Sequence, residues 1–395
     1  MSDWIDNYIV ATENVASPQI FRLWAGISCI AGALEHRVTA STSMGKIYPN
    51  LYVLLVSPPG IGKSEALKPT RELWMGTKHI KVAPNSTTKA ALLDVLESSH
   101  QIETDNPTKL IEYHSLSMAS SEFGVLLPSH DMEFLSVLTD IYDNPKVFSE
   151  SRRTSKSVDI INPQLNIIAG TQPGYLASLF PEEAWSMGFM SRVIMVYSGS
   201  APRLGLFDDY AHLTTDSLLT GLKQMVMTNA ECGWAHSAQV ELSRWYEQGL
   251  PPIPSHSRLS NYCARRLVHV IKLAIISTVS RTNGSGNPLV ITLFDVDRAR
   301  NWLLAAEQVM PDVFRAMAGK SDMTLLLEMH FYFWRRYVTD KKPIHESELI
   351  RFISAKTTSE RGPRLLDIAV RIDMFAKVPG TDLYTPRPHS DFGME

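Results

Sequence analysis

Leu51–Ser64 reads L-Y-V-L-L-V-S-P-P-G-I-G-K-S. The run from Leu51 to Val56 is apolar and strand-favouring, and it stops at Pro58, Pro59, Gly60 and Gly62 before Lys63 and Ser64. That is the order a phosphate-binding loop needs. A buried strand delivers the chain, and small residues let backbone N–H groups close round a phosphate. A lysine then reaches the terminal phosphates, a hydroxyl holds Mg²⁺, and the following helix N-terminus favours anions. Ser57 stands where the G-x-x-x-x-G-K-[ST] pattern has its first glycine. The chain is therefore expected to bind ATP and magnesium through Pro59, Gly60, Ile61, Gly62, Lys63, Ser64 and Glu65. A chance turn between strand and helix is the competing explanation, and the strand and G-K-S in register weigh against it.

At 395 residues the chain has room for two to three domains of about 150 residues each. Apolar residues at 44% and charged residues at 20% are ordinary globular proportions. A net charge of −3 leaves no global basic footprint, so any nucleic-acid contact must come from a local patch. Cys29, Cys232 and Cys263 lie far apart, which argues against a zinc ribbon or disulfide framework and fits a reducing cytoplasm. The histidines match no zinc-hydrolase spacing. No apolar run reaches about 18 residues and no leader precedes the first helix, so neither membrane span nor signal peptide is expected. The expected location is the cytoplasm.

Working outward, Ser17-Pro18 opens a helix with a hydroxyl N-cap and a first-turn proline, followed by Ile20, Phe21, Trp24, Ile27, Ile30, Ala31 and Leu34 at helical spacing. That stripe is a packing face for its own core or for a neighbour. Pro69 should kink or shorten the helix after the loop. His79–Ala83 reads as a short strand, Asn85 to Thr88 as helix caps, and residues 99–110 as a surface connection. Leu116–Glu122 (L-S-M-A-S-S-E) is where a nucleotidase places its acidic strand. Glu122 is the expected catalytic base, and Ser121 stands where an aspartate would hold the magnesium shell, leaving at most a water-mediated contact. Asp140 and Asp143 are reserves. An ordinary exposed glutamate is the alternative for Glu122.

Phe148–Ile161 has the pattern of a hairpin whose polar tip carries Arg152, Arg153 and Lys156, cations suited to a DNA backbone. A solvated loop has the same composition. The apolar strand Gln164–Gly170 ends in Thr171-Gln172-Pro173. Gln172, with Thr171 second, is the expected γ-phosphate sensor; a helix-capping turn residue is the alternative. Arg192 precedes the buried strand of G-F-M-S-R-V-I-M-V-Y, where an arginine serves a surface ion pair or, in a ring of nucleotidases, the neighbour's γ-phosphate.

The succession S-P-P-G-I-G-K-S, S-S-E-F-G, Y-D-N-P…S-R-R-T…I-I-N-P-Q-L-N-I-I-A-G-T-Q-P and G-F-M-S-R-V resembles the phage and prophage primase–helicase-like ATPases, many catalogued as a domain of unknown function. More distantly it is similar to the superfamily-three and minichromosome-maintenance helicases. The resemblance covers about residues 18–310. It implies an oligomeric ring, usually a hexamer, whose hairpins move single-stranded DNA as ATP is hydrolysed between subunits. Ser121 departs from the aspartate of the stricter members. The segment R-R-L-V-H-V-I-K-L-A resembles the lid helix of helicase ATPases, in which a cation contacts nucleotide. Lys272 matches that position best, then Arg265 and Arg266; an exposed helix face is the alternative.

Residues 205–310 are helical by pattern, over Leu218–Met227, Gln239–Gln248, Leu259–Val279 and Val296–Met317. Beyond a linker at Gly319-Lys320-Ser321, three helices and two short strands read as a winged helix. Its Arg361, Arg364 and Arg371 suit DNA, and its fold equally suits protein contact. The expected fold class is thus α/β, with a P-loop NTPase core of AAA+/RecA-like type (46–204), a helical N-terminal segment (1–45), a helical lid (205–318), a winged helix (319–388) and a tail (389–395). The expected function is an ATP-hydrolysing, DNA-translocating ring motor of replicative helicase type in phage or mobile-element replication. Its partners would be single-stranded DNA, further copies of the chain, and a primase or other replication protein. An ATP-dependent helicase loader and a nucleotide-gated DNA-binding protein with negligible turnover are the alternatives.

Overall fold

Tyr52–Val56 forms strand β3, and every residue of it is buried. Hydrogen-bonded neighbours on both edges and helices on both faces explain why its sequence is a continuous apolar run rather than an alternation. In the computed structural model, residues 3–84, 87–106, 109–126, 131–151, 157–180, 185, 188–205, 215–286, 288–317, 322–354, 356 and 361–388 are described. The protein is a mixed α/β chain dividing into two units, Met1–Met317 and Ala318–Glu395.

The central sheet of the first unit has the order β4-β5-β8-β3-β9. Strands β5 (Lys109–Ser120), β8 (Pro163–Thr171), β3 and β9 (Val193–Tyr197) run parallel, and β4 (His100–Asn106) is antiparallel at the edge. On one face lie α2 (Gln19–Leu34) and α3 (Lys63–Met75): the Asn166 amide of β8 donates to Ala31 O (3.3 Å), and Trp74 Nε1 of α3 donates to Cys29 O of α2 (3.0 Å). On the other lies α6 (Met132–Tyr142), where Tyr52 Oη donates to Leu138 O at 2.9 Å. Helix α2 is buried on nearly every side within this unit's own core. It starts one residue later than its sequence signal: Pro18 is the N-cap, and the Ser17 hydroxyl is buried without a partner. Helix α3 continues through Pro69 to Met75. The described residues His100–Asn106 and 109–110 are not a surface connection but belong to the paired strands β4 and β5, whereas around His79–Ala83 only a Val82–Ser117 bridge forms.

A second sheet, β11-β10-β1-β2, joins β1 (Val38–Thr42) and β2 (Gly45–Ile47) to β10 (Ala230–Trp234) and β11 (Val290–Ile291). The two late strands interrupt the region expected to be wholly helical. β10 pairs with Val38–Ala40 and β11 with β10, both far away in sequence, so no local periodicity announces them. Between them run the helices His236–Glu247 and Arg266–Thr282, and Leu293–Met317 follows. One buried core extends from Trp4 to Phe314 across the expected segment, core and lid. The second unit has its own core and the order helix Asp322–Asp340, β12 (Ile344–His345), helices Glu346–Ser354 and Arg361–Arg371, β13 (Phe375–Lys377) and β14 (Leu383–Pro386). Its antiparallel sheet has the order β12-β14-β13, and β12 is an addition to the elements expected.

Arg266 and Glu307 form an ion pair (2.7 Å) with side chains only 1% and 4% exposed, and Tyr262 Oη donates to the same carboxylate at 3.0 Å. Glu307→Ala would strand the guanidinium without a counter-charge, so urea unfolding should show a loss of about 3–5 kcal/mol. Glu35, which ends α2 at φ 47°, accepts from Arg37 Nη1 (2.7 Å), Tyr113 Oη (3.0 Å) and Gln101 Nε2 (3.0 Å). Burial pushes its carboxyl up from 4.5 to about 7 against the pull of Arg37. The folded state then holds this proton more tightly than the unfolded chain, so the contribution is present below pH 4.5 and lost as pH rises to about 7. Glu35→Gln should flatten that part of the stability–pH curve, measured as urea midpoints at both ends of the window.

Candidate functional site

Where β3 ends, Ser57 N donates to Thr171 O of the adjacent β8 (3.2 Å), which fixes the start of the loop. Gly60 and Gly62 then take φ values of 81° and 80°, a left-handed conformation costly for any residue with a Cβ. At Gly62 space is short as well: a Cβ would lie 2.0 Å from Ala16 O. Helix α3 begins at once, and its first internal bond is Ala66 N to Gly62 O (3.0 Å). The N–H groups of Lys63, Ser64 and Glu65 precede it and have no partner within the helix, the arrangement that favours an anion.

A cleft of about 420 Å³ opens over this turn. It is lined by Pro59, Gly60, Ile61, Gly62, Lys63, Ser64 and Glu65, together with Glu122, Gln172 and Ala16. Lys63 is 7% exposed, and its ammonium donates to Ser57 O (3.0 Å), Ser57 Oγ (3.0 Å) and Pro58 O (3.1 Å). Burial pulls its pKa below the ordinary lysine value, and the nearby Glu122 charge opposes that. The residue replacing the pattern's first glycine thus supplies two of the lysine's acceptors.

Strand parity explains how Glu122 and Gln172 arrive. Side chains alternate along β8, so Gln172 follows Asn166 and Gly170 onto the face of α2 and α3, while Thr171 points away, its hydroxyl buried and unpartnered. Gln172 sits at the N-cap of α7 (Pro173–Leu179) but makes no side-chain capping bond, which leaves the side chain to the cleft. Gly170 permits a close approach: a Cβ there would lie 2.4 Å from Ser121 O and 3.3 Å from Lys63 Cβ. The end of β5 is thereby brought against the loop, and Glu122 follows directly, before α5 (Phe123–Leu126). Ser121 itself is exposed and does not line the cleft. Among the described residues no group of three or more His, Cys, Asp or Glu side chains is placed to hold a metal. The side-chain oxygens at the cleft are the Ser64 hydroxyl, the Glu65 and Glu122 carboxylates and the Gln172 amide. That small set suits magnesium, which keeps several waters and takes much of its shell from phosphates.

Other expected residues lie elsewhere. Arg192 immediately precedes β9, whose Val193 is level with Tyr52 at the start of β3. It is therefore at the opposite end of the sheet from the loop, roughly 16 Å away at about 3.3 Å per residue. There Arg192 is 8% exposed, donates to Gly188 O (2.7 Å), and forms an ion pair with Asp143. Arg265 pairs with the same carboxylate (2.8 Å). Lys272 does not reach the cleft either: its Nζ donates to Asn50 Oδ1 (2.6 Å) and O (3.0 Å), ahead of β3, and lies 4.1 Å from the Tyr142 ring centre. Burial holds its pKa well below the ordinary value. Its helix docks on the sheet's other end, which a sequence pattern does not specify. Asp143 is likewise not a reserve acid for the cleft. Arg152, Arg153 and Lys156 lie outside the described residues; the flanking strands β6 (Val147–Glu150) and β7 (Val158–Ile161) pair antiparallel as a hairpin.

Ala16 and Gly170 were not anticipated. Gly170 carries a faint signal, since a glycine at a strand end marks close backbone approach; Ala16 carries none. Gly60 and Gly62 separate two costs. Gly60→Ala, with nothing within 4 Å, should lose only the left-handed penalty of about 1–2 kcal/mol. Gly62→Ala must also displace the Ala16 carbonyl, so its urea midpoint should fall clearly further; equal losses would show that the contact is soft. No family model matches the chain, and no curated protein matches it.

Proposed function

We propose that the first unit is a P-loop nucleoside triphosphatase core of AAA+ type, and that the chain is a ring-forming, ATP-driven DNA translocase of replicative helicase type. The supporting observation is convergence. The loop after a doubly flanked parallel strand, Glu122 from the end of β5 and Gln172 from the end of β8 all line one cleft at the carboxyl ends of the strands. Ligands of open parallel sheets bind at that edge.

In this reading the backbone N–H groups of residues 60–65 cradle the phosphates, and Lys63 exchanges its bond to Pro58 O for a phosphate oxygen. Glu122 orients and deprotonates the attacking water, and Gln172 bonds the terminal phosphate. Ser64 would hold magnesium, which neutralises charge on the phosphates when bound. Arg192, at the far end of the sheet, is out of reach of its own nucleotide and acts on that of a second copy. The helix–strand–helix–helix–strand–strand order of the second unit supports a winged helix. Its Arg371 is occupied by Asp367 (2.9 Å), which favours Arg364 for any phosphate contact. One observation favours the nucleotide-gated alternative: the magnesium-shell position is Ser121, outside the cleft lining.

ATP hydrolysis with and without single-stranded DNA decides between them. Wild type should be stimulated by DNA, while Glu122→Gln and Arg192→Ala should each lose about 10²–10⁴-fold in turnover and keep nucleotide binding. Negligible or DNA-indifferent turnover in wild type would put the gated reading ahead.

A further inference from the structure

Asp143 joins two guanidinium groups on one carboxylate. Its Oδ1 accepts from Arg265 Nη1 (2.8 Å), and its Oδ2 accepts from Arg265 Nη2 (3.2 Å) and from Arg192 Nη2. Arginine grips a phosphate through the same forked geometry. Burial alone would raise the Asp143 carboxyl, but the bonds from Arg192 and then Arg265 hold it below the usual range. Lys272 lies behind them, so the group is three basic side chains to one acid. Among the described residues, the salt bridges of Arg192 and Arg265 go to Asp143 alone. Arg192 Nε is buried without an acceptor, an unused donor on a guanidinium nine-tenths buried.

The cluster is reachable, with Asp143 and Arg265 side chains 41% and 29% exposed. The Arg265–Asp143 pair, that open to water, is held weakly and exchanges readily, whereas the Arg192 side chain behind it is 9% exposed. Its position excludes the chain's own nucleotide as the visiting anion, because the cleft is at the other end of β3.

We propose that Asp143 is a built-in competitor for phosphate: it occupies Arg192 and Arg265 until the terminal phosphate of a second copy's nucleotide displaces it. This rests on the shared-site reading above. A terminal phosphate offers more charge and more acceptor oxygens than one carboxylate, so it wins the arginines only when a neighbour presents it in place. The device keeps both arginines engaged by one carboxylate in the isolated subunit and makes activation depend on a loaded neighbour.

The test uses full-length protein in two arms. The first takes a Lys63→Ala background, which disables the chain's own loop, and titrates inorganic phosphate by thermal unfolding. Adding Asp143→Asn should tighten phosphate binding about tenfold, and adding Arg265→Ala as well should abolish the gain. The second arm measures turnover per subunit against protein concentration. Asp143→Asn should reach half-maximal turnover at a lower concentration than wild type, and Arg265→Ala at a higher one. Unchanged phosphate binding in the Asp143→Asn protein overturns the proposal. So does a loss of turnover like that of Arg192→Ala, since Asp143 would then orient the arginine rather than compete for it. If Asp143→Asn does not fold, Arg265→Ala alone decides: wild-type behaviour in both arms overturns the proposal. Wild-type turnover per subunit that ignores concentration instead sinks the shared-site reading, while the phosphate arm still tests Asp143.

Discussion

Strand β3 is hydrogen-bonded along both edges, to β8 and β9, and covered on both faces, so it can offer chemistry only at its ends. Its carboxyl end delivers the loop, and the parallel strands β8, beside it, and β5, beyond β8, deliver Gln172 and Glu122 to the same edge. Its amino end is level with the residues that precede β9, where Arg192, Asp143 and Arg265 gather. Parallel pairing therefore does more than build a core. It sorts the polar side chains into two separate groups, one around the loop at residues 57–65 and one around paired arginines, with buried apolar residues between them.

The loop's position depends on close approaches of the backbone. Gly62 lets the loop pass within contact of Ala16, and Gly170 lets the end of β5 press against the first turn of α3. These approaches are to backbone and to the Lys63 Cβ, and together they set where Lys63 and Glu122 can sit. The segment before α2 is held in turn from afar: Trp4 Nε1 donates to Leu218 O (3.0 Å), and Arg298 Nη2 to Asp3 Oδ1 (2.8 Å). One wall of the cleft is thus anchored in helices contributed by the later part of the chain.

This division marks what could be read from sequence. The loop was legible because its chemistry is local: a strand, small residues, a lysine and a helix start within fourteen positions. The sequence ranks Gln172 ahead of Thr171 but leaves both open; the strand parity that separates them comes from the pairing of β8. The strands β10 and β11 were not legible, because β10 is a strand by virtue of a partner near Val38 and β11 by virtue of β10. The β4 hairpin was hidden by its polar composition, which suits an edge strand as well as a connection. Lys272 was misjudged because helical periodicity gives the buried face of a helix but not the end of the sheet it meets.

The second sheet bears on how the protein is made. Its β1 strand, near the beginning of the chain, pairs in parallel with β10, and β10 with β11 (Val38 with Ala230, Gly233 with Val290). A ribosome releases the first of these strands long before the last, and parallel pairing over such a separation closes slowly. For that interval the β1–β2 hairpin has an open edge, and nascent chains are then most exposed to pairing with the wrong partner. The bonds that hold the segment before α2, from Leu218 and Arg298, also come from the later part of the chain, so a product ending before them would carry the loop without those anchors.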